Sequence, residues 1–165
     1  MGAGKTTIGK KLAKALNLSF YDLDWYIEAR FRMKISQVFQ EKGEEGFREL
    51  ERRMLHELGD IEDVVIACGG GTPCFGDNME YMNSVGETVF LNADIDAIKG
   101  HLSMGKSVRP LIQGKTSEEL DVFIRESLQQ RMPFYEKAKH VVDISLITEK
   151  RQIDEYVSQI INLIK

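Results

Sequence analysis

Apolar residues along this chain alternate between helical spacing and short continuous runs. From Ile8 to Leu16 they recur on one helix face with lysines between them, which predicts a helix that ends near Asn17. The runs SFYDLD, VVIAC, ETVFLNA and HVVDIS are instead typical of short strands. Strands that alternate with helices form parallel sheets covered on both faces. The pattern therefore predicts an α/β fold, a three-layer sandwich around a parallel sheet.

The stretch between the first two predicted strands has helical periodicity. WYIEARF and SQVFQEKG predict two short helices, the second with Ser36 as its N-cap and Gly43 as its stop. Apolar spacing then predicts a longer helix over roughly 44 to 58. Further along, residues 104–116 have glycines near both ends and weak periodicity, which indicates a mobile loop.

The C-terminal half is predicted to continue the alternation. Asp94 can cap a helix after the third predicted strand, and another helix is predicted from about 117 to the neighbourhood of Pro133. Apolar spacing from Ile153 to Ile164 predicts a closing helix. With 165 residues and no repeat or linker, the chain is predicted to form one domain over 1–165.

Composition narrows the class of protein. Hydrophobic residues make up 42% and charged residues 29%, which is typical of a globular domain. The net charge of −4, without any block of like charge, argues against a general affinity for nucleic acid or an anionic membrane. Cys68 and Cys74 have no zinc-site spacing, and we expect reduced thiols in a soluble cytoplasmic protein.

The N-terminal sequence MGAGKTT contains the second half of the phosphate-binding pattern G-x-x-x-x-G-K-[ST] in Gly4, Lys5 and Thr6. In such a loop, backbone N–H groups and a helix N-terminus bind phosphates. Lys5 would reach the terminal phosphates, and the Thr6 hydroxyl would bind Mg²⁺. The alternative is a glycine-rich tail that leads into a helix, which the basic amphipathic stretch after the loop disfavours.

The first half of the phosphate-binding pattern would lie before Met1. In proteins with this loop an apolar strand precedes it and lies centrally in the sheet. We therefore expect that the central strand and the first loop glycine precede this chain, and that the natural protein begins about ten residues earlier.

Asp22 and Asp24 lie at the end of the first predicted strand. Residues i and i+2 on a strand share a face, so both carboxylates could point towards the phosphate site. Mg²⁺ requires such oxygen ligands. The alternative is a pair of aspartates that cap a helix or stabilise a turn.

Several residues indicate a pocket for a phosphoryl acceptor. Arg48 and Glu51 share a helix face, and residues 69–71 are glycines at a strand's carboxyl end, where ligands of open α/β sheets bind. Arg109 and Arg131 each stand next to or near a proline. Guanidinium groups bind carboxylates through paired hydrogen bonds, so the set fits a small hydroxylated acid. Taken singly, each arginine is more typical of a solvated surface residue, and each glycine of a turn.

In these motifs the chain resembles the shikimate kinases of the nucleoside-monophosphate-kinase-like P-loop group. The shared patterns run in order through G-A-G-K-T-T, D-L-D, F-R-x-x-E, G-G-G, V-R-P-L and R-x-P-x-Y, and they cover essentially the whole length. The last four together are quite specific to that family. The resemblance implies transfer of the γ-phosphoryl group of ATP to the 3-hydroxyl of shikimate in aromatic amino-acid biosynthesis.

The resemblance also implies a set of site residues. ATP would lie on residues 2–7, with an acceptor segment over about 24–58 and a lid over about 104–116. Asp24 would orient the 3-hydroxyl or deprotonate it, and Arg109 would close over the transferred phosphoryl group from the lid. The implied residues are Lys5, Asp24 and Arg109 for catalysis; Asp24, Arg48, Gly69, Gly70, Gly71 and Arg131 for the acceptor; Gly2, Ala3, Gly4, Lys5, Thr6, Thr7 and Arg109 for the nucleotide; and Thr6 and Asp22 for Mg²⁺.

Two other interpretations remain open at this point. One is a related small-molecule kinase on the same scaffold, such as a gluconate kinase. The other is a weakened P-loop protein that binds nucleotide as a regulatory module, although three acceptor-type arginines argue against it. We further expect a monomer whose partners are small molecules.

Overall fold

The computed structural model describes residues 3–104, 116–145 and 150–165. Helices and short strands alternate along them, as the apolar pattern predicts. The elements are, in order, α1 (Lys5–Leu16), β1 (Ser19–Asp22), α2 (Leu23–Phe31), α3 (Ile35–Gly59), β2 (Val64–Ala67), a 3-10 turn (Thr72–Cys74), α4 (Asn78–Val85), β3 (Val89–Asn92), α5 (Ile95–Met104), α6 (Ser117–Tyr135), β4 (His140–Asp143) and α7 (Lys150–Ile164).

The described strands form two parallel pairs. β1 pairs with β2 from Ser19↔Val64 onward, and β3 pairs with β4 from Val89↔His140 onward. The strands are parallel as predicted, but within the described residues β2 and β3 are not hydrogen-bonded to each other, so the sheet is present as two halves. Both β2 and β3 line one continuous cavity of about 1800 Å³.

Helix α1 joins the two halves through the larger hydrophobic core. Ile8 and Leu12 of α1 are buried together with Ile98 of α5, Val142 of β4 and Ile160 of α7. The partly buried Val65 of β2 and the β3 residues Val89 and Leu91 pack against the same cluster. Because an isolated two-stranded sheet is at best marginally stable, this shared helical cover is what holds each pair in place.

A second hydrophobic core fixes α2 against α3. It contains Leu23 and Ile27 of α2, both with no exposed surface, and Phe47, Leu55 and Leu58 of α3. Burying side chains of this size stabilises the fold by about 1.5–3 kcal/mol each. Leu23 immediately precedes Asp24, and Phe47 immediately precedes Arg48. Burial of Leu23 and Phe47 therefore fixes the backbone positions of Asp24 and Arg48, the candidate site residues that follow them in the chain.

Helix α3 changes direction at Gly43, as the predicted stop at this residue implies. Gly43 has φ 68° and ψ −176°, a conformation that side-chain-bearing residues adopt only with strain. The predicted N-cap at Ser36 is wrong, because α3 begins at Ile35 and Lys34 is its N-cap. The first turn is fixed instead by two acceptors: Gln37 accepts from the Lys34 N–H at 2.8 Å, and Glu28 accepts from the Ile35 N–H at 3.1 Å.

Predicted helix boundaries in the C-terminal half are close to the observed ones. Asp94 caps α5 as predicted, since its Oδ1 accepts from the Ala97 N–H at 2.7 Å. Helix α6 continues past Pro133 to Tyr135, because the helical hydrogen bond from the Glu136 N–H to the Met132 carbonyl still forms. Of the predicted loop over 104–116, residues 105–115 lie outside the described part of the chain. Within that part, no helix has the length and apolar composition needed to cross a membrane.

Candidate active site

The phosphate-binding loop leads directly into α1. Gly4 is the N-cap of α1 with φ 67° and ψ 15°, in the left-handed region that favours glycine. Its carbonyl accepts from the N–H groups of Thr7 and Ile8, both at 3.0 Å. The turn leaves the positive end of the α1 dipole facing the cavity, which favours an anionic ligand. Of the predicted nucleotide residues, 3–7 line the cavity and Gly2 lies outside the described residues.

Asp22 ends β1 next to this loop. Its Oδ2 accepts from the Thr6 hydroxyl at 2.7 Å and lies 3.7 Å from Lys5 Nζ. The Asp22 side chain is 3% exposed, so the carboxylate faces the loop rather than solvent. A hydroxyl and a carboxylate in contact are the hard oxygen donors that Mg²⁺ prefers. The residues present therefore fit a magnesium ion.

The predicted placement of Asp22 and Asp24 on one face of a strand is wrong. The strand ends at Asp22, and Asp24 lies in the first turn of α2. Asp22 is the N-cap of that helix, and its Oδ1 accepts from the Asp24 N–H at 3.2 Å. The helix forms because Leu23 and Ile27, four residues apart, are both buried in the second core. Asp22 thus caps a helix with one oxygen and contacts Thr6 with the other.

The Asp24 carboxyl is partly buried at the junction of the two predicted subsites. Burial raises the pKa of Asp24, the neighbouring Lys5 and Arg48 oppose the rise, and Asp22 adds to it. Charges of the phosphate loop and of α3 therefore both act on Asp24. A carboxylate with a raised pKa is a better proton acceptor than an ordinary surface aspartate.

Arg48 is held in place by a buried carboxylate. Its Nη1 donates to Glu51 Oε2 at 2.7 Å, one helical turn further along α3. The Glu51 side chain is 1% exposed and the Arg48 side chain 13%. The other Glu51 oxygen accepts from the buried Thr72 hydroxyl at 2.7 Å, and Asn78 Nδ2 donates to the Thr72 carbonyl at 2.8 Å. Both oxygens of the buried carboxylate therefore have partners.

Burial and charge act in opposite directions on Glu51. Burial raises its pKa, and the contacts with Arg48 and Thr72 lower it again in part. A buried ion pair of this kind contributes little net stability, but removing one partner leaves an uncompensated charge. The arrangement fixes the direction of the Arg48 guanidinium.

The segment 69–71 after β2, here the glycine loop, consists of three glycines, which let other groups approach the backbone closely. A Cβ on Gly71 would lie 2.3 Å from Arg48 Nη2 and 2.5 Å from its Cζ. A Cβ on Gly69 would lie 3.3 Å from Glu51 Oε1 and 3.8 Å from Asp24 Oδ1. The glycine loop is thus the surface on which Asp24, Glu51 and Arg48 converge.

Helix α6 closes the opposite side of the same cavity. Arg131 and Tyr135 both line it, and the Tyr135 hydroxyl donates to the Gly70 carbonyl at 2.6 Å. Burial raises the pKa values of Cys74 and Tyr135, and both Arg131 and Arg48 lower them in part. The two arginines are therefore close to the same pair of groups.

The structure brings most of the predicted site residues to one cavity. Arg109, predicted on the lid, lies outside the described residues. The residues that line the cavity are Ala3, Gly4, Lys5, Thr6, Thr7, Asp22, Asp24, Arg48, Gly69, Gly70, Gly71 and Arg131.

Four residues of the site had no role predicted from the sequence: Glu51, Thr72, Asn78 and Tyr135. The i, i+3 spacing of Glu51 to Arg48 did predict their shared helix face, though not the role of Glu51 as the buried partner. Tyr135 could have been found from its place in the R-x-P-x-Y pattern. Thr72 and Asn78 gave no signal, because their contacts depend on the folded chain.

Comparison with known proteins identifies the family. The family model described as shikimate kinase matches residues 1–165. The chain belongs to the shikimate kinase family. Shikimate kinase of Phocaeicola vulgatus is 54% identical over 160 residues, which cover 97% of this chain and 91% of that protein. Shikimate kinase of Bacteroides fragilis is 51% identical over 164 residues, which cover 99% and 92%.

Solved shikimate kinase structures share the fold. The crystal structure of shikimate kinase from Bacteroides thetaiotaomicron has a TM-score of 0.95 and 50% identity, and covers 99% of this chain and 93% of that one. Shikimate kinase from Acinetobacter baumannii in complex with shikimate has a TM-score of 0.86 and 31% identity, with 98% and 89% covered. The predicted family, the α/β P-loop fold and the ATP-dependent kinase activity are confirmed.

Replacing Gly71 with alanine tests whether the close approach of Arg48 matters. The added Cβ must displace the Arg48 guanidinium, which is the movable end of a side chain, so we expect the fold to remain intact. We expect the KM for the acceptor to rise at least about tenfold, as for loss of a charge-assisted hydrogen bond, with the KM for ATP unchanged. Steady-state kinetics and thermal denaturation measure both effects.

Gly86→Ala is the matched control for Gly71→Ala. Gly86 has extended backbone, and an added Cβ there meets only one backbone oxygen, at 4.0 Å. This variant is expected to have wild-type kinetics. An unchanged acceptor KM in Gly71→Ala would contradict the role given to the Arg48–Gly71 contact.

Proposed function

We propose that this shikimate kinase family member transfers the γ-phosphoryl group of ATP to the 3-hydroxyl of shikimate with Asp24, Arg48, Arg131 and the glycine loop as its acceptor site. One observation carries the assignment: these groups line the same cavity as the phosphate loop. A carboxylate, two guanidinium groups and bare backbone are the complement of a small acid with several hydroxyls. The reaction is a step in aromatic amino-acid biosynthesis.

The nucleotide side of the proposal uses the phosphate loop. N–H groups of residues 2–7 and the α1 N-terminus bind the phosphates, and Lys5 Nζ neutralises charge on the terminal ones. Arg109 is proposed to contact the transferred phosphoryl group from the lid. Positioning and cationic stabilisation of this kind provide most of the catalysis in phosphoryl transfer.

Thr6 and Asp22 are proposed to hold Mg²⁺, directly or through water. Their oxygens are in contact at 2.7 Å, at the end of β1 beside the phosphate loop. A Mg²⁺ ion held there would supply positive charge that stabilises the phosphates of ATP during the transfer. Lys5 Nζ lies 3.7 Å from Asp22 Oδ2, which partly balances the charge of that carboxylate.

On the acceptor side, Arg48 and Arg131 are proposed to bind the shikimate carboxylate and the glycine loop its hydroxyls. Asp24 accepts the proton of the 3-hydroxyl while that oxygen forms a bond to the γ-phosphorus. The bond from the γ-phosphorus to the bridging oxygen breaks, and ADP leaves with the electron pair. The partial burial that raises the pKa of Asp24 makes this proton transfer easier.

We further propose that the enzyme is a monomer and acts in the cytoplasm. Cys68 and Cys74 are free thiols, which supports a reducing compartment.

An acceptor panel tests the proposed reaction. The purified protein is incubated with ATP and Mg²⁺, together with shikimate, gluconate or no acceptor, and ADP release is followed. We expect ADP release to depend on shikimate, with phosphorus NMR showing a 3-phosphate ester. Turnover of gluconate but not shikimate would contradict the proposal, and nucleotide binding without turnover would favour the regulatory alternative.

Replacing Asp24 with asparagine tests its role as proton acceptor. We expect kcat to fall by about 100-fold or more, within the usual contribution of a general base. In the wild type, kcat/KM should fall as the pH is lowered through the raised pKa of Asp24, above its ordinary value of 3.8, because the carboxylate form is then lost. This acidic limb should be absent in Asp24→Asn.

Asp154→Asn is the matched control, because Asp154 is an exposed residue of α7 paired with Lys11. It should retain the wild-type rate and pH profile. A kcat for Asp24→Asn within about threefold of wild type would rule out Asp24 as the base.

A further inference from the structure

The glycine loop has no side chains of its own to fix its shape, so its shape depends on contacts with other elements. One anchor is on the α3 side, where the Thr72 hydroxyl donates to buried Glu51 at 2.7 Å. The other is on the α6 side, where the Tyr135 hydroxyl donates to the Gly70 carbonyl at 2.6 Å. Together with the Cys74 thiol, which donates to the same Gly70 carbonyl at 3.7 Å, these contacts hold the loop between the two helices that carry Arg48 and Arg131.

The Tyr135 side chain is placed rigidly enough to act as an anchor. It is 7% exposed, and its ring packs against Phe90 of β3 with the centroids 4.8 Å apart. Arg131 lies one helical turn earlier on α6, and its charge acts on the Tyr135 hydroxyl. Tyr135 therefore contacts the core, the glycine loop and an acceptor arginine at once.

The hydrogen bond to Gly70 also fixes the next amide. The carbonyl of Gly70 and the N–H of Gly71 belong to one planar peptide group and point in opposite directions. With the carbonyl held towards Tyr135, the Gly71 N–H is directed away from it. Within the described part of the chain this N–H donates no hydrogen bond, so it is available to a ligand.

We propose that Tyr135 is a positioning residue for the acceptor: its hydroxyl fixes the Gly70–Gly71 peptide so that the Gly71 N–H faces the bound shikimate. The inference rests on the proposed function, because it assigns the glycine loop to the acceptor. Tyr135 itself does not touch the reacting atoms. The loss of its hydroxyl should weaken shikimate binding and leave ATP binding intact.

The test compares Tyr135→Phe with Tyr81→Phe. Tyr135→Phe keeps the ring against Phe90 and removes only the hydroxyl. Tyr81 of α4 also donates its hydroxyl to a backbone carbonyl, that of His56, at 3.2 Å. Its ring stacks on His56, which lies further along α3 than Arg48 and Glu51. Both variants lose one hydroxyl hydrogen bond, so they separate a general loss of stability from a local effect at the site.

We expect Tyr135→Phe to raise the KM for shikimate about tenfold, which corresponds to about 1.4 kcal/mol. The KM for ATP should stay within about twofold of wild type. Amide hydrogen exchange of Thr72 and Cys74, whose N–H groups donate to the carbonyls of Gly69 and Gly71, should become faster in Tyr135→Phe and stay unchanged in Tyr81→Phe. Both variants should show similarly small decreases in melting temperature.

The outcomes distinguish this inference from the proposed function. If wild-type protein does not phosphorylate shikimate, the proposed function fails. If wild type is active and Tyr135→Phe has the shikimate KM and the loop exchange of Tyr81→Phe, the role of Tyr135 is overturned while the proposed function stands. A rise in both substrate KM values would also overturn it, since a positioning contact for the acceptor must act selectively.

Discussion

The buried ion pair between Arg48 and Glu51 is the interaction on which the rest of the acceptor site depends. Glu51 lies in the interior of the fold, where an unpaired carboxylate would cost several kcal/mol. Arg48 and Thr72 together supply the partners that make its burial tolerable. The Glu51 carboxylate stays in the interior because leaving would break its contacts with Arg48 and with Thr72. Since the carboxylate is fixed, the Arg48 guanidinium that pairs with it has one favoured direction. That direction is towards the glycine loop.

This constraint explains the residue types around the pair. A side chain on Gly71 would displace the Arg48 guanidinium, which occupies the space where its Cβ would be. Thr72 must offer a hydroxyl because the second Glu51 oxygen needs a donor. The buried Leu23 and Phe47 hold the neighbouring Asp24 and Arg48 at fixed positions on two packed helices. The acceptor cavity is therefore shaped by the polar contacts of Glu51 and by the apolar packing of the second hydrophobic core.

The chemistry of the site was predictable from the sequence more fully than its geometry. The glycine–lysine–threonine loop, the arginines and the three glycines are local patterns, so their residues could be named directly. The resemblance also named Asp24, but its predicted placement on a strand was wrong. It belongs to a helix turn, because burial of Leu23 and Ile27 requires helical spacing.

The contacts that depend on distant parts of the chain could not be predicted. The Thr72–Glu51 hydrogen bond joins residues 21 positions apart, and the Tyr135–Gly70 hydrogen bond joins residues 65 apart. Local periodicity carries no information about such pairs.

The most direct test of the claim that the Arg48–Glu51 pair fixes the acceptor site is a crystal structure of the full chain with ADP and shikimate. The shikimate carboxylate should lie on Arg48 with the Glu51 pair intact, and its 3-hydroxyl within hydrogen-bond distance of Asp24; shikimate bound outside this cavity, or Arg48 turned away from Glu51, would contradict it.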